Sequence, residues 1–269
     1  MTSVLEALNA GLHSAFESNP DVMLLGEDLL DPYGGAFKVA RGLSTQYPER
    51  VWTSPVSEAG LAGIATGMAL RGLRPVVEIM FGDFLGLTFD QLLNSATKYA
   101  WMFGDDIEIP LVLRTPMGGR RGYGPTHSQT IEKHFLGIPG LRVIAPCAIG
   151  DPGRLLADAI LRGAPTTLFV ENKLLYLSKV NDPAMLNEFE ISATEGPTPT
   201  YTFNLKGAPP ATMTLCTYGY MAELALAAAR DLAYEREIFT EVVVPTLISF
   251  TEQELPASLQ RSLAQTQTL

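Results

Sequence analysis

The sequence predicts an α/β protein built on a parallel sheet, followed by a second and smaller α/β unit. Two observations predict this class: short apolar segments alternate with helix-like periods, and those short segments are apolar at nearly every position. Strands of that kind are buried on both faces, which is typical of a parallel sheet covered by helices on either side. A chain of 269 residues with 46% hydrophobic residues is long and apolar enough for one or two such domains.

The elements of the first unit follow in chain order. Strands are predicted at 22–26, 75–79, 110–114, 141–145 and 166–170, where aliphatic or β-branched runs are flanked by Gly or Pro. Helices are predicted at 3–17, 58–71, 88–101 and 152–162. The last of these has Asp151 as its cap, Pro152 as its first residue and Gly163 as its terminator.

Residues 1–178 are predicted to form the first domain, 179–210 a linker, and 211–269 a partial second domain. The linker contains several prolines and no sustained period. Beyond it, strands are predicted at 211–217 and 238–244 and helices at 221–233 and 253–264. So small a unit buries little area, and we expect it to lean on the first domain or on a partner chain. The alternative is a shortened protein whose linker covers the exposed sheet.

The composition excludes several classes of function. A formal net charge of −10 argues against non-specific binding to nucleic acid and against an anionic membrane surface. No leader and no apolar run of transmembrane length is recognised, so a cytoplasmic location is expected. Cys147 and Cys216 lie far apart, and the three histidines show no paired metal spacing, so a self-contained metal site is not expected.

The segment 58–72 raises the main functional question. Glu58 opens a helix of very small residues, with glycines at 60, 63 and 67. Each glycine costs a helix roughly 1 kcal/mol relative to alanine, so the close approach of another backbone or of a ligand is expected here. Judged by this segment alone, tight packing is the favoured explanation, with Glu58 at the positive end of the helix dipole.

The order of several motifs changes that balance. Glu58 is followed by Met80-Phe-Gly-Asp-Phe84, by Asp90-Gln-Leu-Leu-Asn-Ser-Ala-Thr-Lys98 and by Gly124-Pro-Thr-His-Ser-Gln129. Further matches are Leu25-Gly-Glu-Asp28, Gly35-Ala-Phe-Lys38, Pro139-Gly-Leu-Arg-Val143, Glu171-Asn172 and Tyr176. In this combination the chain resembles the beta subunit of the thiamine-diphosphate-dependent, decarboxylating component of 2-oxo acid dehydrogenase complexes. The resemblance covers essentially the whole chain, more weakly towards its end.

The resemblance implies a pyrimidine-binding fold of the transketolase type and a role for four residues. Glu58 matches the glutamate that hydrogen-bonds the pyrimidine nitrogen of thiamine diphosphate and activates the cofactor by sharing a proton. Met80 and Phe84 match positions that line or stack on that ring, although core packing would be their ordinary role. His127 matches an active-site histidine that handles the substrate carboxylate, the enamine or the lipoyl group, although a lone loop histidine is more often a surface residue.

The resemblance also explains a missing motif. Family members hold magnesium and the diphosphate with a Gly-Asp-Gly segment, and none occurs in this chain. It therefore implies an alpha subunit that carries the Mg²⁺ half-site, an α2β2 heterotetramer (or a beta–beta dimer if the chain is alone) and a lipoyl acyltransferase partner. Residues 162–164 offer no acidic side chain for the structural K⁺ of many members, which puts potassium in doubt. Arg120 and Arg121 are expected to be a solvated pair.

Three functions remain open at this point. The leading one is oxidative decarboxylation of a 2-oxo acid such as pyruvate, with acyl transfer to lipoyl groups. The second is another split thiamine-diphosphate enzyme, transketolase-like or acetoin dehydrogenase-like. The third is a non-catalytic scaffold that keeps only the fold.

Overall fold

The computed structural model describes residues 2–104, 107–163, 165–250 and 254–268. Within them, parallel strands form a first sheet in the order β2-β1-β3-β4-β6-β5. These strands are β1 (Val22–Gly26), β2 (Val51–Thr53), β3 (Arg74–Glu78), β4 (Val112–Met117), β5 (Leu141–Ile144) and β6 (Thr166–Asn172). The predicted parallel sheet is confirmed, and β2 is a strand that the sequence analysis did not predict.

Both faces of the central part of this sheet are buried, because side chains along β1, β3, β4 and β6 alternate between two cores. Val22 and Leu24 of β1 lie in a core with α1 (Val4–Ser18) and α5 (Pro152–Leu161). Met23 and Leu25 lie in the other core, with α3 (Glu58–Leu70). Two covered faces require apolar residues at successive positions, which is the pattern of the sequence.

The helices α1 and α5 cross at very short range. A Cβ atom added at Gly11 would lie 2.1 Å from the carbonyl oxygen of Gly153, so glycine is required at the crossing. Asp151 caps α5 by accepting a hydrogen bond from the Arg154 N–H at 2.9 Å, as the sequence predicts. A short helix α2 (Leu43–Gln46) lies between β1 and β2.

The prediction of one continuous helix over 88–101 is wrong. The chain instead forms a 3₁₀ helix (Gly82–Thr88), a π-helical turn (Gln91–Ala96) and a short α4 (Tyr99–Met102). Thr97 accounts for the break, because its N–H and its hydroxyl both donate to the carbonyl of Leu92, at 3.1 and 3.0 Å. This five-residue reach widens the turn and ends the regular helix.

Residues 179–210, predicted from the sequence as a linker, contain regular secondary structure. They form α6 (Pro183–Leu186), β7 (Phe189–Ala193) and β8 (Thr200–Leu205). With β9 (Met213–Cys216) and β10 (Thr240–Pro245) these strands make a second sheet in the order β7-β8-β10-β9, in which the pair β9–β10 is parallel and the others antiparallel. Tyr201 and Phe203 alternate into its core, a signal that the nearby Pro and Gly residues obscured.

The rest of the second unit follows its predicted order. Helix α7 (Met221–Arg236) packs on β10, and α8 (Ala257–Thr266) packs on β9 and β10. The predicted helix 253–264 began at residue 253, which lies outside the described residues. Among the described residues, no helix has both the length and the apolar composition of a membrane span.

The two sheets are tied together at one edge. After β10 the chain turns back and runs antiparallel beside β5, with a bridge between Ile144 and Leu247. The Ala145 N–H donates to the Thr246 carbonyl at 2.8 Å, and the Ile248 N–H donates to the Val143 carbonyl at 2.9 Å. The chain that follows β10 therefore covers the edge of the first sheet that β5 forms.

Candidate active site

A cleft of about 540 Å³ lies at the carboxyl ends of β1, β2 and β3. Its lining residues are Glu27, Asp28, Ser54, Pro55, Val56, Glu58, Met80, Phe84 and Leu87. Ligands of open parallel sheets bind outside the carboxyl ends of the strands, where loops converge. The structure thus brings Glu58, Met80 and Phe84, three of the four residues singled out from the sequence, into one cleft.

Glu58 is the first residue of α3, and its side chain is only 6% exposed. No hydrogen bond to its carboxylate is found within the described parts of the chain. The helix dipole favours an anion at this position, and neither carboxylate oxygen is among the fully buried side-chain atoms that lack a partner, so the carboxylate is accessible from the cleft. The carboxylate is therefore suited to a donor that comes from a bound molecule.

Glu27 lines the same cleft directly after β1. Burial raises the pKa of its carboxyl, and the neighbouring charges of Glu58 and Asp28 raise it further, while a hydrogen bond from the Ser57 backbone opposes them. Its Oε1 atom is buried and has no hydrogen-bond partner among the described residues. The raised pKa of Glu27, next to a second acid, brings the cleft closer to the range in which a carboxyl group can exchange a proton.

Among the described residues, no other backbone approaches α3 closely at Gly63 or Gly67. A Cβ atom at Gly67 would have no neighbour within 4 Å, and one at Gly63 would meet the flexible Gln91 side chain at 3.3 Å. Ile64, on the same surface of the helix, is 57% exposed. Gly82 is different: a Cβ there would lie 2.3 Å from the Met117 side chain, so the backbone beside Phe84 packs tightly on β4.

His127, the fourth predicted residue, lies against the wall of the cleft without lining it. It ends the short 3₁₀ helix Pro125–His127, and its ring packs edge-on to Phe81 and Phe84, with centroid distances of 4.7 and 5.3 Å. Its Nδ1 lies 3.0 Å from the Thr126 hydroxyl. Phe84 thus connects the cleft to His127.

Two charged residues that the sequence analysis did not single out hold the His127 loop. The Lys173 ammonium donates to the His127 carbonyl oxygen and lies over the rings of Phe81 and Tyr123, at 5.0 and 5.3 Å from their centroids. Burial lowers the pKa of Lys173, while Asp83 opposes that shift. Asp83 Oδ1 accepts three hydrogen bonds from Ser128 and Gln129, at 2.9–3.3 Å. Because these partners are far apart in sequence, no local pattern indicates them.

A buried ionic cluster lies under the loop that follows β1. Arg114 donates to Glu171 through Nε at 2.8 Å and Nη2 at 2.6 Å, and to Glu78 through Nη1. The Tyr176 hydroxyl donates to Glu171 at 2.7 Å. Burial raises the pKa of Glu78, partly offset by Arg114, and burial together with the charge of Glu171 raises the pKa of Tyr176. The cluster gives Glu171 and Tyr176 a structural role.

The arginine pair and the metal question add little to the site. Arg120 is exposed with a φ of 63°, Arg121 is half-buried, and no ion pair of either is found in the described part of the chain. Within the same residues, no group of three or more His, Cys, Asp or Glu side chains could hold a metal ion. Ala164, one of the residues considered above for potassium, lies outside the described residues.

Known proteins share this architecture. The model of the family "Transketolase, pyrimidine binding domain" matches residues 1–178. A solved structure entitled "Split gene transketolase, inactive beta4 tetramer" superposes with a TM-score of 0.68 and 18% identity, covering 99% of this chain and 77% of that one. At that identity the likeness shows the fold alone.

Curated relatives extend the similarity beyond the first domain. The mitochondrial pyruvate dehydrogenase E1 component subunit beta of Saccharomyces cerevisiae is 35% identical over 257 residues, covering 91% of this chain and 68% of that protein. The beta subunit of the acetoin:2,6-dichlorophenolindophenol oxidoreductase of Cupriavidus necator is 34% identical over 242 residues, covering 87% and 68%. Across its matches the chain spans about half to two thirds of the relatives' length, from 46% to 69%.

Proposed function

The chain belongs to the transketolase pyrimidine-binding family, on the branch of the 2-oxo acid dehydrogenase beta subunits, and we propose that it acts as such a subunit with thiamine diphosphate as cofactor. Glu58 carries the proposal: this largely buried residue shares a cleft with Met80 and Phe84, and its carboxylate, which has no hydrogen-bond partner among the described residues, is accessible from that cleft. An aminopyrimidine offers a ring nitrogen to the acid and a flat apolar face to the wall. These residues fit the pyrimidine half of thiamine diphosphate.

Each residue of the cleft has a proposed task. When bound, thiamine diphosphate supplies the nucleophilic carbon that adds to the oxo acid and stabilises the charge left when carbon dioxide departs. Glu58 shares a proton with the ring nitrogen, in a site where burial strengthens the interaction. Met80 and Phe84 would hold the ring by apolar contact, and His127, which packs on Phe84, would serve the substrate carboxylate, the cofactor-bound group or the lipoyl group.

The surroundings of the cleft support a partner subunit. Val56 and Leu87, both lining residues, are 77% and 58% exposed, and Ile64 on α3 is 57% exposed. Apolar side chains around a functional cleft are typical of a surface that another chain covers. We assign this surface to an alpha subunit that holds the diphosphate and Mg²⁺, in an α2β2 assembly that delivers acyl groups to a lipoyl acyltransferase. A cytoplasmic location belongs to the same proposal.

A second candidate is cleavage of acetoin instead of decarboxylation of an oxo acid. The observation that favours it is the similarity to the acetoin oxidoreductase beta subunit, which is nearly as strong as that to the pyruvate dehydrogenase subunit. Both reactions use the same cofactor, so the cleft of this chain serves either. Reconstituted enzyme supplied with pyruvate, a branched-chain oxo acid or acetoin, with a lipoyl domain as acceptor, distinguishes them.

The proposal is tested by cofactor binding in the pair formed with a matching alpha subunit. We expect thiamine diphosphate with Mg²⁺ to quench the protein fluorescence of the pair, and Glu58→Gln to lower turnover by about 10²–10⁴-fold, because the amide cannot share the proton. The matched control is Glu49→Gln, which changes an exposed glutamate of the same domain and should leave turnover unchanged.

Two outcomes would contradict the proposal. Absence of quenching in a pair that assembles would favour the non-catalytic scaffold. Near-normal turnover in the Glu58→Gln pair would show that Glu58 does not activate the cofactor, whichever substrate the enzyme uses.

A further inference from the structure

The loop that carries His127 is held at one peptide group by two opposite charges. The carbonyl oxygen of His127 and the N–H of Ser128 belong to the same peptide group. Lys173 donates to that carbonyl, and Asp83 Oδ1 accepts from that N–H at 3.2 Å. Hydrogen bonds to charged groups are roughly twice as strong as those between neutral groups, so both poles of this peptide are held firmly.

Lys173 is unusual in its surroundings. Its side chain is 0% exposed, although lysine is almost never fully buried unless it has a partner. The aromatic rings of Phe81 and Tyr123 lie within 5.3 Å of the ammonium, and Asp83 is the opposite charge that acts on it. A buried ammonium between two rings, with its donor aimed at one carbonyl, has little freedom to move.

Asp83 also holds the next residue of the loop, Gln129. The same Oδ1 atom accepts from the Gln129 N–H at 3.3 Å and from its Nε2 at 2.9 Å. The Gln129 carbonyl in turn accepts from the Gly118 N–H at 3.2 Å, which closes the base of the glycine-rich loop. The loop is therefore fixed at 127–129, while Tyr123 and Gly124 nearer its tip are exposed.

We propose that Lys173 and Asp83 are positioning residues that clamp the His127–Ser128 peptide and so hold the His127 ring against Phe81 and Phe84. The clamp fixes the backbone from which the imidazole projects, and thereby the orientation of the imidazole against Phe84, which lines the cleft. Its effect on catalysis rests on the proposed function of the chain, but the clamp itself does not.

Nuclear magnetic resonance of the full chain tests the clamp without a cofactor. The His127 ring signals are displaced by the ring currents of Phe81 and Phe84, whereas His13, hydrogen-bonded to Gln46 and the Arg41 carbonyl, provides an internal reference. In Lys173→Met we expect the His127 signals to lose this displacement and the Ser128 amide to exchange about tenfold faster or more. The His13 signals should stay in place.

Two further lysine variants separate the clamp from general effects. Lys173→Arg keeps the charge and donor, and should restore part of the His127 displacement. Lys179→Met changes an exposed lysine six positions along and should leave every signal unchanged. Unchanged His127 signals and unchanged Ser128 exchange in a folded Lys173→Met chain would overturn the proposal.

If Lys173→Met also perturbs the His13 signals, the variant is unfolded. The Asp83 variants then test the clamp instead. Asp83→Ala removes the acceptor of Ser128 and Gln129, whereas Asp83→Asn keeps an oxygen in place. We expect Ser128 exchange and His127 displacement to change in the alanine variant more than in the asparagine variant. Wild-type behaviour in both would overturn the clamp.

Reconstituted enzyme then tests the catalytic consequence. We expect Lys173→Met to lower kcat while the affinity for thiamine diphosphate stays as in the wild type, because the clamp acts on His127 and not on Glu58. If the wild-type pair itself is inactive, the proposed function fails, but the resonance experiments still decide the clamp.

Discussion

Removal of Arg114 is predicted to destabilise the fold strongly. Its guanidinium, 1% exposed, is the cation paired with Glu78 and Glu171, which are 4% and 1% exposed. Arg114→Met keeps a similar length but leaves two buried carboxylates without their cation. Breaking a buried pair in this way costs about 3–5 kcal/mol, out of a total unfolding free energy of about 5–15 kcal/mol.

The assay is urea unfolding of the full chain followed by circular dichroism. With an m-value of about 3 kcal/mol/M, the midpoint should fall by roughly 1–1.7 M. The control is Arg162→Met, which removes an exposed arginine paired with Asp158 at 3.3 Å. Exposed pairs contribute about 0–1 kcal/mol, so its midpoint should hardly move.

The pH dependence of the Arg114→Met deficit provides a second check. Burial already raises the pKa of Glu78, and Arg114 holds it down; without Arg114 that pKa rises further. A carboxyl whose folded pKa lies above its unfolded value stabilises the fold at low pH and loses that contribution as the pH rises through the folded pKa. The deficit should therefore be smaller at pH 5 than at pH 7.5. Equal midpoints for the two arginine variants, or a deficit that grows towards acid, would refute the reasoning.

Three further predictions concern the site and the second unit. His127→Ala should slow acyl transfer to the lipoyl acceptor in the reconstituted pair. The control is His134→Ala, which changes a histidine in an exposed position. Equal rates in the two variants would show that His127 is a surface residue without a catalytic role. The chain without a partner should show no decarboxylase turnover, since its cleft is open on the side lined by Val56 and Leu87, and activity of the purified chain would contradict this. In hydrogen exchange, β9 and β10 should be protected less than β1 and β3; equal protection in a monomer would show that the second unit needs no outside support.

The sequence predicts what depends on local pattern. The bounds of β1 and the start of α3 at Glu58 agree with the prediction, because apolar runs and caps are local signals. The ordered motifs also led to the cleft, since Glu58, Met80 and Phe84 all line it. Their roles in binding remain predictions.

What the sequence could not predict depends on register and on long-range pairing. Arg114 reads as the last residue of an apolar strand, and only the alignment of β3 with β4 places it opposite Glu78. Likewise, Lys173 directly follows β6 and Asp83 lies in the 3₁₀ helix Gly82–Thr88, so only the fold brings both to the His127 loop. The π-helical turn at Gln91–Ala96 was missed because one threonine side chain, not the apolar period, sets its geometry.

The return of the chain to β5 has a consequence for how the molecule can be divided. β5 is an outer strand of the first sheet, and the backbone near 246–248 occupies its free side. A fragment that stops at residue 178 would keep every strand of the first sheet but would expose the hydrogen-bonding groups of that outer strand. Such unshielded edges recruit other strands, so the fragment is expected to self-associate. By covering this edge of β5, the second unit thus protects the domain that holds the cleft from aggregation.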